Sequence, residues 1–295
     1  MSQQPGRCPR HRSGGTPDTG LALANSSFNA FHDFERAGWQ KAAEHYTQTF
    51  GTLTARAAGP LLEAVAVRTG MRLLDVACGP GYVAGVAAAR GARVIGLDFS
   101  PLMVAEARRR YPDFAFCEGD AEALPFDDGS FDAAVMNFGL LHLARPEAAI
   151  AEAHRVLAAG RRYAFTVWAR PEEAVGFGVV LRAMETHGTT NVGLPEGPPF
   201  FRFSDPEACR TALAQAGFLR PHVQQLPLIW RLPSADALFQ AALCGGVRTS
   251  AALQAQTPQA LAAIRRAVHE SLQRYADGPT IALPMGVVLA SATKP

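Results

Sequence analysis

Two glycines and three aspartates carry the most chemical information in this chain. Leu73-Leu74-Asp75-Val76-Ala77-Cys78-Gly79-Pro80-Gly81-Tyr82 reads as a buried strand running into a two-glycine turn, with Asp75 just before the turn. Glycines there let main chain approach a ligand that a Cβ would block, and a helix over 82–90 would aim its first N–H groups into the same crevice. The loop alone is ambiguous, because Gly79-Pro80-Gly81-Tyr82-Val83-Ala84 also satisfies G-x-G-x-x-G/A, a weak signature of nicotinamide-dinucleotide sites. Arg93-Val94-Ile95-Gly96-Leu97-Asp98 is a second strand ending in a carboxylate, at the distance where a doubly wound sheet holds a ribose diol; both ligands expect it. Asp75 separates the two, since an acid near the loop repels a pyrophosphate but suits a ligand with an ammonium and a sulfonium; its competing reading is structural, ordering the glycine loop by accepting backbone N–H bonds. A further strand runs into Glu118-Gly119-Asp120-Ala121, where Asp120 can accept from an adenine amino group beside the Ala121 N–H. The charge pattern favours S-adenosylmethionine over NAD.

With these residues in place, the chain resembles the class I S-adenosylmethionine-dependent methyltransferases, small-molecule branch, from about Trp39 to Phe218. The landmarks are LLDVACGPGY, VIGLDFSPLMVAEA, GDAEALPF, FDAAVMNFGLLHL and HRVLAAGRRYAFTVW, in that order. The resemblance implies a methionine moiety against Asp75, Ala77, Gly79 and Gly81, and a ribose on Asp98. It further implies adenine between Phe99 and Met103 with its edge read by Asp120 and Ala121, Asn137 beneath the sulfonium, and Tyr46 as the lid tyrosine that approaches it. Cys78 stands where the family often has a third glycine. The implied activity is methyl transfer to an oxygen or nitrogen of a small apolar or aromatic metabolite, in a setting such as secondary metabolism, with S-adenosylhomocysteine as product. Two rivals share the cofactor site: a non-methylating cyclase or decarboxylase on the same fold, and a non-catalytic cofactor-binding protein.

Transfer from a sulfonium is an in-line displacement that chiefly needs alignment and a dry site; a base is needed only if the nucleophile must lose a proton. His142 follows the fourth strand, where the crevice opens, and is the best-placed candidate catalytic base. The competing reading is a histidine held by backbone hydrogen bonds at a strand end. His32, His45 and His187 lie in expected lid segments.

The elements that must position these groups are legible as alternation. Apolar runs from 71–77 to 163–168 are each followed by an amphipathic stretch such as 146–157, which predicts the α/β class with a parallel sheet covered on both faces; the resemblance implies that it is a doubly wound, mostly parallel, seven-stranded Rossmann-like sheet. The resemblance adds a last strand, 280–292, antiparallel to the rest. Asp127-Asp128-Gly129-Ser130 is expected to turn into a strand over 131–137. The segment 28–50 carries Phe28, Phe31, Phe34, Trp39, Tyr46 and Phe50 at helical spacing and is expected to be a lid helix pair, packing partly on the domain and partly on an apolar substrate. A helix over 205–216 has Ser204 as its expected cap and Pro206 in its first turn. Residues 21–295 are expected to form one methyltransferase domain with a cofactor-binding core at 71–168 and substrate-cap insertions at 172–203 and 234–277. The second insertion could also serve as a homodimer contact.

Composition bounds the alternatives. The chain has 295 residues and a formal net charge of +2, with no block of like charge long enough to track a phosphate backbone, so a nucleic-acid partner is not expected. Five scattered cysteines without C-x-x-C spacing suggest a reducing compartment and no metal site. Residues 1–20, rich in Gly, Pro, Ser and Arg, are expected to be a disordered tail rather than a secretory signal. No run of about 18 apolar residues suggests a membrane span, and a soluble cytoplasmic enzyme is expected.

Overall fold

The computed structural model describes residues 22–295, with side chains from Phe28 onward; the tail expected over 1–20 lies outside the described residues. The chain enters through a long helix α1 (Ala22–Tyr46), a short α2 (Phe50–Thr54) and α3 (Ala58–Ala64). Strand β1 (Arg72–Val76) has one exposed residue followed by four buried ones, the pattern of a strand covered on both faces. The cover can be read from alternate side chains. Leu73 packs with Leu61, Leu62, Val83 and Ala87 on one side, while Leu74 and Val76 join Met136, Phe165 and Val167 on the other.

Four further parallel strands and three helices follow the same logic: α4 (Tyr82–Ala89), β2 (Arg93–Asp98), α5 (Pro101–Arg110), β3 (Ala115–Glu118), β4 (Phe131–Asn137), α6 (Pro146–Val156) and β5 (Leu157–Trp168). Helix α5 starts where the sequence says it should: Ser100 Oγ accepts from the Met103 N–H at 3.4 Å and Pro101 occupies the first turn. Beyond β5 come α7 (Val175–His187), α8 (Pro206–Gln215) and β6 (Leu219–Leu232). Then follow α9 (Ala235–Cys244), α10 (Arg248–Gln254), α11 (Pro258–Leu272), β7 (Ala276–Asp277) and β8 (Thr280–Thr293).

The strand order is β3-β2-β1-β4-β5-β8-β6, with β7 pairing β8 off this path. Strands β1 to β5 pair in parallel, and β8 runs antiparallel to both β5 and β6. This is the expected doubly wound sheet with its last strand reversed. It has eight strands rather than seven because the chain pairs Ala276 and Asp277 with Ile281 and Thr280 before entering β8. Helices α9 to α11 lie between β6 and β8, and helix α1 packs on α5 of the core as well as on α9 and α10 of this insertion.

Several local expectations are corrected. The aromatic stretch 28–50 is not a helix pair but the body of α1 with α2 starting only at Phe50, because nothing before Gln48 breaks the helical run. The cap of α8 is Asp205, whose Oδ1 accepts from the Glu207 N–H at 3.0 Å; Ser204 instead donates to the Trp168 carbonyl. Strand β5 begins at Leu157, earlier than the apolar run, since buried Leu157 pairs with Phe131 of β4 and the strand continues through an exposed, irregular stretch into the run. Among the described residues Cys78, Cys209 and Cys244 are free thiols.

The connection from β3 to β4, which carries Asp120 and Ala121, has little regular structure and is tied down by α6. Arg155 donates to the Leu124 and Phe126 carbonyls at 2.8 and 2.7 Å, and Glu152 accepts from the Leu124 N–H at 2.7 Å. Replacing Arg155 by Met leaves two carbonyls without this charged donor. It is expected to lower unfolding free energy by about 2–3 kcal/mol in urea titration; a change under about 0.5 kcal/mol would mean that packing alone holds the segment.

Candidate active site

Between β1 and β4 the strand order reverses, and the loops leaving their ends diverge. A cleft of about 760 Å³ opens there, walled by the segments after β1, β2, β3 and β4 and covered by α1. The backbone is strained on both sides of the opening: Ala77 has φ +52° and Phe138 φ +56°, left-handed values uncommon outside glycine. Gly79, also left-handed at φ +52°, has nothing within 4 Å of where a Cβ would sit, so its open side belongs to the cleft.

Tyr46, Ala77, Gly79, Asp98, Phe99, Met103, Asp120, Ala121, Asn137 and His142 all line this cleft. Asp98 is 5% exposed and orders the site as well as facing it. One carboxylate oxygen accepts from the Gly79 N–H and the other from the Ser100 N–H, each at 2.9 Å. Burial pushes its pKa up to about 6, with those backbone donors pulling the other way. Asn137 spans two elements by donating to the Thr54 carbonyl at 3.1 Å while accepting from Thr166 Oγ1 at 2.6 Å. The Tyr46 hydroxyl shares a hydrogen with Thr54 Oγ1 at 2.8 Å, and burial raises its pKa.

Two residues expected at the ligand are elsewhere. Asp75 is fully buried beneath the loop and does not reach the cleft; its Oδ2 accepts from the Ala84 N–H at 3.1 Å, which fixes the start of α4. Burial lifts its pKa to about 8, the Ala84 bond opposes this, and the charge of Asp98 adds to it. Gly81 also lies off the cleft wall. With φ +82° it is the N-cap of α4, and a Cβ would stand 3.0 Å from the Phe116 ring, so it serves loop packing.

A second cavity of about 500 Å³ adjoins the first, and Trp39, Tyr46, Thr54, Phe138 and His142 line both. The remaining wall is aromatic, with Phe50, Trp168, Phe177 and Phe200, closed by residues from Ala242 to Thr249 of the insertion. Phe50 and Phe177 stack at 5.5 Å with their planes 3° apart. His142 ends a short 3-10 turn after β4, and its Nδ1 lies 2.9 Å from Glu35 Oε2. Glu35 is fully buried, and its other oxygen accepts from Arg248 Nε at 2.8 Å. Sequence reading missed Glu35 and Arg248. A signal existed for the first: Glu35 is the one acid on the stripe Phe31, Glu35, Trp39, Ala42, Tyr46 of an otherwise apolar helix face. Arg248 gave none.

His45 and His187 line neither cavity. His32 covers the other end of the cleft, with Nε2 3.6 Å from Asp120 Oδ2 and its ring edge-on to Phe99 at 5.8 Å. Among the described residues no group of three or more His, Cys, Asp or Glu is placed to hold a metal ion, and no described helix is long and apolar enough to cross a membrane.

Comparison with known proteins agrees with this geometry. A family model described as a methyltransferase domain matches residues 74–165. The demethylmenaquinone methyltransferase of Beutenbergia cavernae is 43% identical over 121 residues, 39% of this chain and 50% of that protein. That of Thermus thermophilus is 38% identical over 165 residues, 50% of this chain and 74% of that protein. The chain thus spans about half the length of the first curated relatives it matches. A phosphoethanolamine N-methyltransferase from Haemonchus contortus, solved with S-adenosylhomocysteine, shares the fold at 18% identity and a TM-score of 0.56, covering 90% of this chain and 60% of that one. Fold, cleft and relatives together define the class: the chain belongs to the S-adenosylmethionine-dependent methyltransferases of class I. The cofactor of that family fits the residues present. The cleft is open at Gly79 where a side chain would intrude, Asp98 presents a buried carboxylate at its edge, and Phe99 and Met103 give it apolar walls.

Two pH dependences follow. Below about pH 6 Asp98 takes up a proton and loses acceptor capacity, so cofactor Kd is expected to rise by about tenfold per pH unit, measured by calorimetry between pH 5 and 7.5. A flat Kd would remove Asp98 from the binding site. For Asp75 the folded pKa of about 8 lies above the unfolded value near 4, so the folded state holds a proton that the unfolded state has lost. Stability from this group therefore falls as pH rises from about 4 to about 8 and is level beyond it. Asp75→Asn, which keeps the acceptor for Ala84, is expected to gain on the parent between pH 6 and 9 in urea unfolding; parallel curves would contradict the burial argument.

Proposed function

We propose that this protein moves the methyl group of S-adenosylmethionine to an oxygen or nitrogen of a small aromatic acceptor. One observation carries the reading: the cleft adjoins an aromatic chamber, and the shared wall is Trp39, Tyr46, Thr54, Phe138 and His142. A donor in the first cavity and an acceptor in the second would meet at that wall, which is what an in-line displacement requires.

In this reading the ribose diol lies on Asp98, the adenine between Phe99 and Met103 with its edge at Asp120 and Ala121, and the methionine end along Ala77 and Gly79. Bound there, S-adenosylmethionine supplies an electrophilic methyl group on a sulfonium. Asn137 and Tyr46, both held by Thr54, fix the floor and the roof of the reacting region. The aromatic faces of Tyr46 and Trp39 favour a cation and exclude water. Asp75 acts one step back, through the loop it orders. The insertion between β6 and β8 forms the cap of the acceptor chamber. The curated relatives are named for demethylmenaquinone, and an acceptor of that ring-bearing kind suits Phe50, Trp168, Phe177 and Phe200. His142 is the candidate base.

Incubation with S-adenosylmethionine and a panel of phenols, naphthols and arylamines, read by mass spectrometry, is expected to give a product heavier by one CH2 and S-adenosylhomocysteine only when acceptor is present. A product of unchanged or lower mass would instead support a cyclase or decarboxylase. His142→Ala is expected to lower turnover about a hundredfold or more with cofactor Kd within about twofold of the parent; a normal rate would leave the chemistry to alignment alone.

A further inference from the structure

The group behind His142 is built with more care than a structural histidine needs. Its imidazole is wedged between two rings, with Trp39 at 4.8 Å and 88° and Phe200 at 6.0 Å and 76°. Nδ1 meets Glu35 Oε2 at 2.9 Å, while among the described residues no hydrogen bond reaches Nε2, on a ring that borders both cavities. The Glu35 side chain is 0% exposed, and a carboxylate so placed is costly without a partner. Arg248 is that partner, and every nitrogen of its guanidinium is committed: Nε to Glu35 Oε1 at 2.8 Å, and the two terminal nitrogens to the Pro198 and Leu141 carbonyls at 2.7 and 2.8 Å. The Phe31 ring lies 4.4 Å beneath the guanidinium. Three of the five N–H donors of Arg248 are thus spent on Glu35 and on two main-chain carbonyls, which fixes the guanidinium behind the carboxylate, where its work is to hold Glu35.

We infer that Glu35 and Arg248 are positioning residues that hold His142 in the Nδ1–H tautomer, with the Nε2 lone pair turned to the acceptor chamber as the base for a hydroxyl-bearing aromatic acceptor. The inference rests on the proposed function and narrows it. A neutral arylamine already has a lone pair to attack with, whereas a phenolic hydroxyl becomes a strong nucleophile only as its proton leaves. Atoms and charge balance simply. The hydroxyl proton passes to Nε2, the oxygen forms the new O–CH3 bond, and the electron pair of the broken C–S bond stays on sulfur, which becomes a neutral thioether. The imidazolium so formed faces the Glu35 carboxylate through Nδ1–H, as in carboxylate–histidine pairs elsewhere.

Because Arg248 can only donate, it also dictates what an isosteric amide would do. In Glu35→Gln the amide oxygen must turn to Arg248 Nε, and the NH2 group then faces His142 Nδ1. The imidazole proton is forced onto Nε2, the wrong atom for a base. The test begins with 15N-histidine NMR of the full-length protein without cofactor or acceptor. The parent is expected to give Nδ1–H at His142 and the variant Nε2–H; Nε2–H in the parent overturns the proposal even if the variant does not fold. Kinetics with S-adenosylmethionine form the second arm. Glu35→Gln is expected to lower kcat on an unactivated phenol about a hundredfold or more with KM little changed, and on a nitrophenol already ionised at the assay pH by less than about threefold. Equal losses on both acceptors, or methyl found on a nitrogen, would overturn the hydroxyl-acceptor assignment. Failure to methylate any acceptor alongside the expected tautomers would sink the proposed function while leaving the positioning of His142 intact.

Discussion

Everything at the site depends on the reversal of strand order between β1 and β4. Parallel strands covered on both faces leave polar main chain only at their ends, and where neighbouring connections diverge those ends cannot cover one another. The crevice is thus a geometric consequence of the winding. Of the four left-handed non-glycine residues among the described residues, two, Ala77 and Phe138, stand on its opposite lips. The chain also spends a nearly buried carboxylate, Asp98, on holding the Gly79 and Ser100 amides in place. One group therefore both shapes the loop and faces the cleft, so the loop geometry and the proposed ribose site cannot be varied independently.

The second constraint is the cover. A cleft open on its upper side would let water compete for every polar contact inside it, and α1 is the helix that closes it. Its attachments are polar as well as apolar: Glu35 to His142 and Arg248, Arg36 to Glu118 at 2.8 Å, and His32 near Asp120. The exposed Arg36 pair adds little in water. The buried Glu35 cluster is different, because all three partners come from separate parts of the chain: α1, the turn after β4, and the start of α10. Its geometry exists only when helix, core and insertion are assembled together.

Much of the core was legible because its signals are local. The two-glycine turn, a strand ending in Asp98 and the Ser100-Pro101 helix start are each written in a few adjacent residues, and the structure forms each at that place, although only Gly79 of the two glycines lines the cleft. The strand over 131–137 was equally clear, since a turn and an apolar run bound it. What escaped was set by distance. Asp75 looks like a ligand-facing acid in one dimension, but alternation along β1 sends its side chain under the loop to Ala84. Glu35 and Arg248 lie 213 positions apart, so neither could reveal the other. The short pairing of Ala276 and Asp277 with β8 has no hydrophobic pattern to announce it, because both residues are exposed.

The closed cover raises a kinetic question that the contacts themselves answer. Ligands that fill the cleft and the chamber must enter past α1 or the insertion, and both are tied to the core through Glu35. Moving α1 away breaks the contact between Glu35 and His142, and moving the insertion away takes Arg248 from Glu35. Separating Glu35 from Arg248 leaves a carboxylate and a guanidinium unpaired in apolar surroundings unless water reaches both at once. Opening must therefore admit water to the whole cluster, and closing must expel it. For α1, the step that dries the chamber would then also complete the His142 pair of the proposed function, coupling exclusion of water to assembly of the reacting groups.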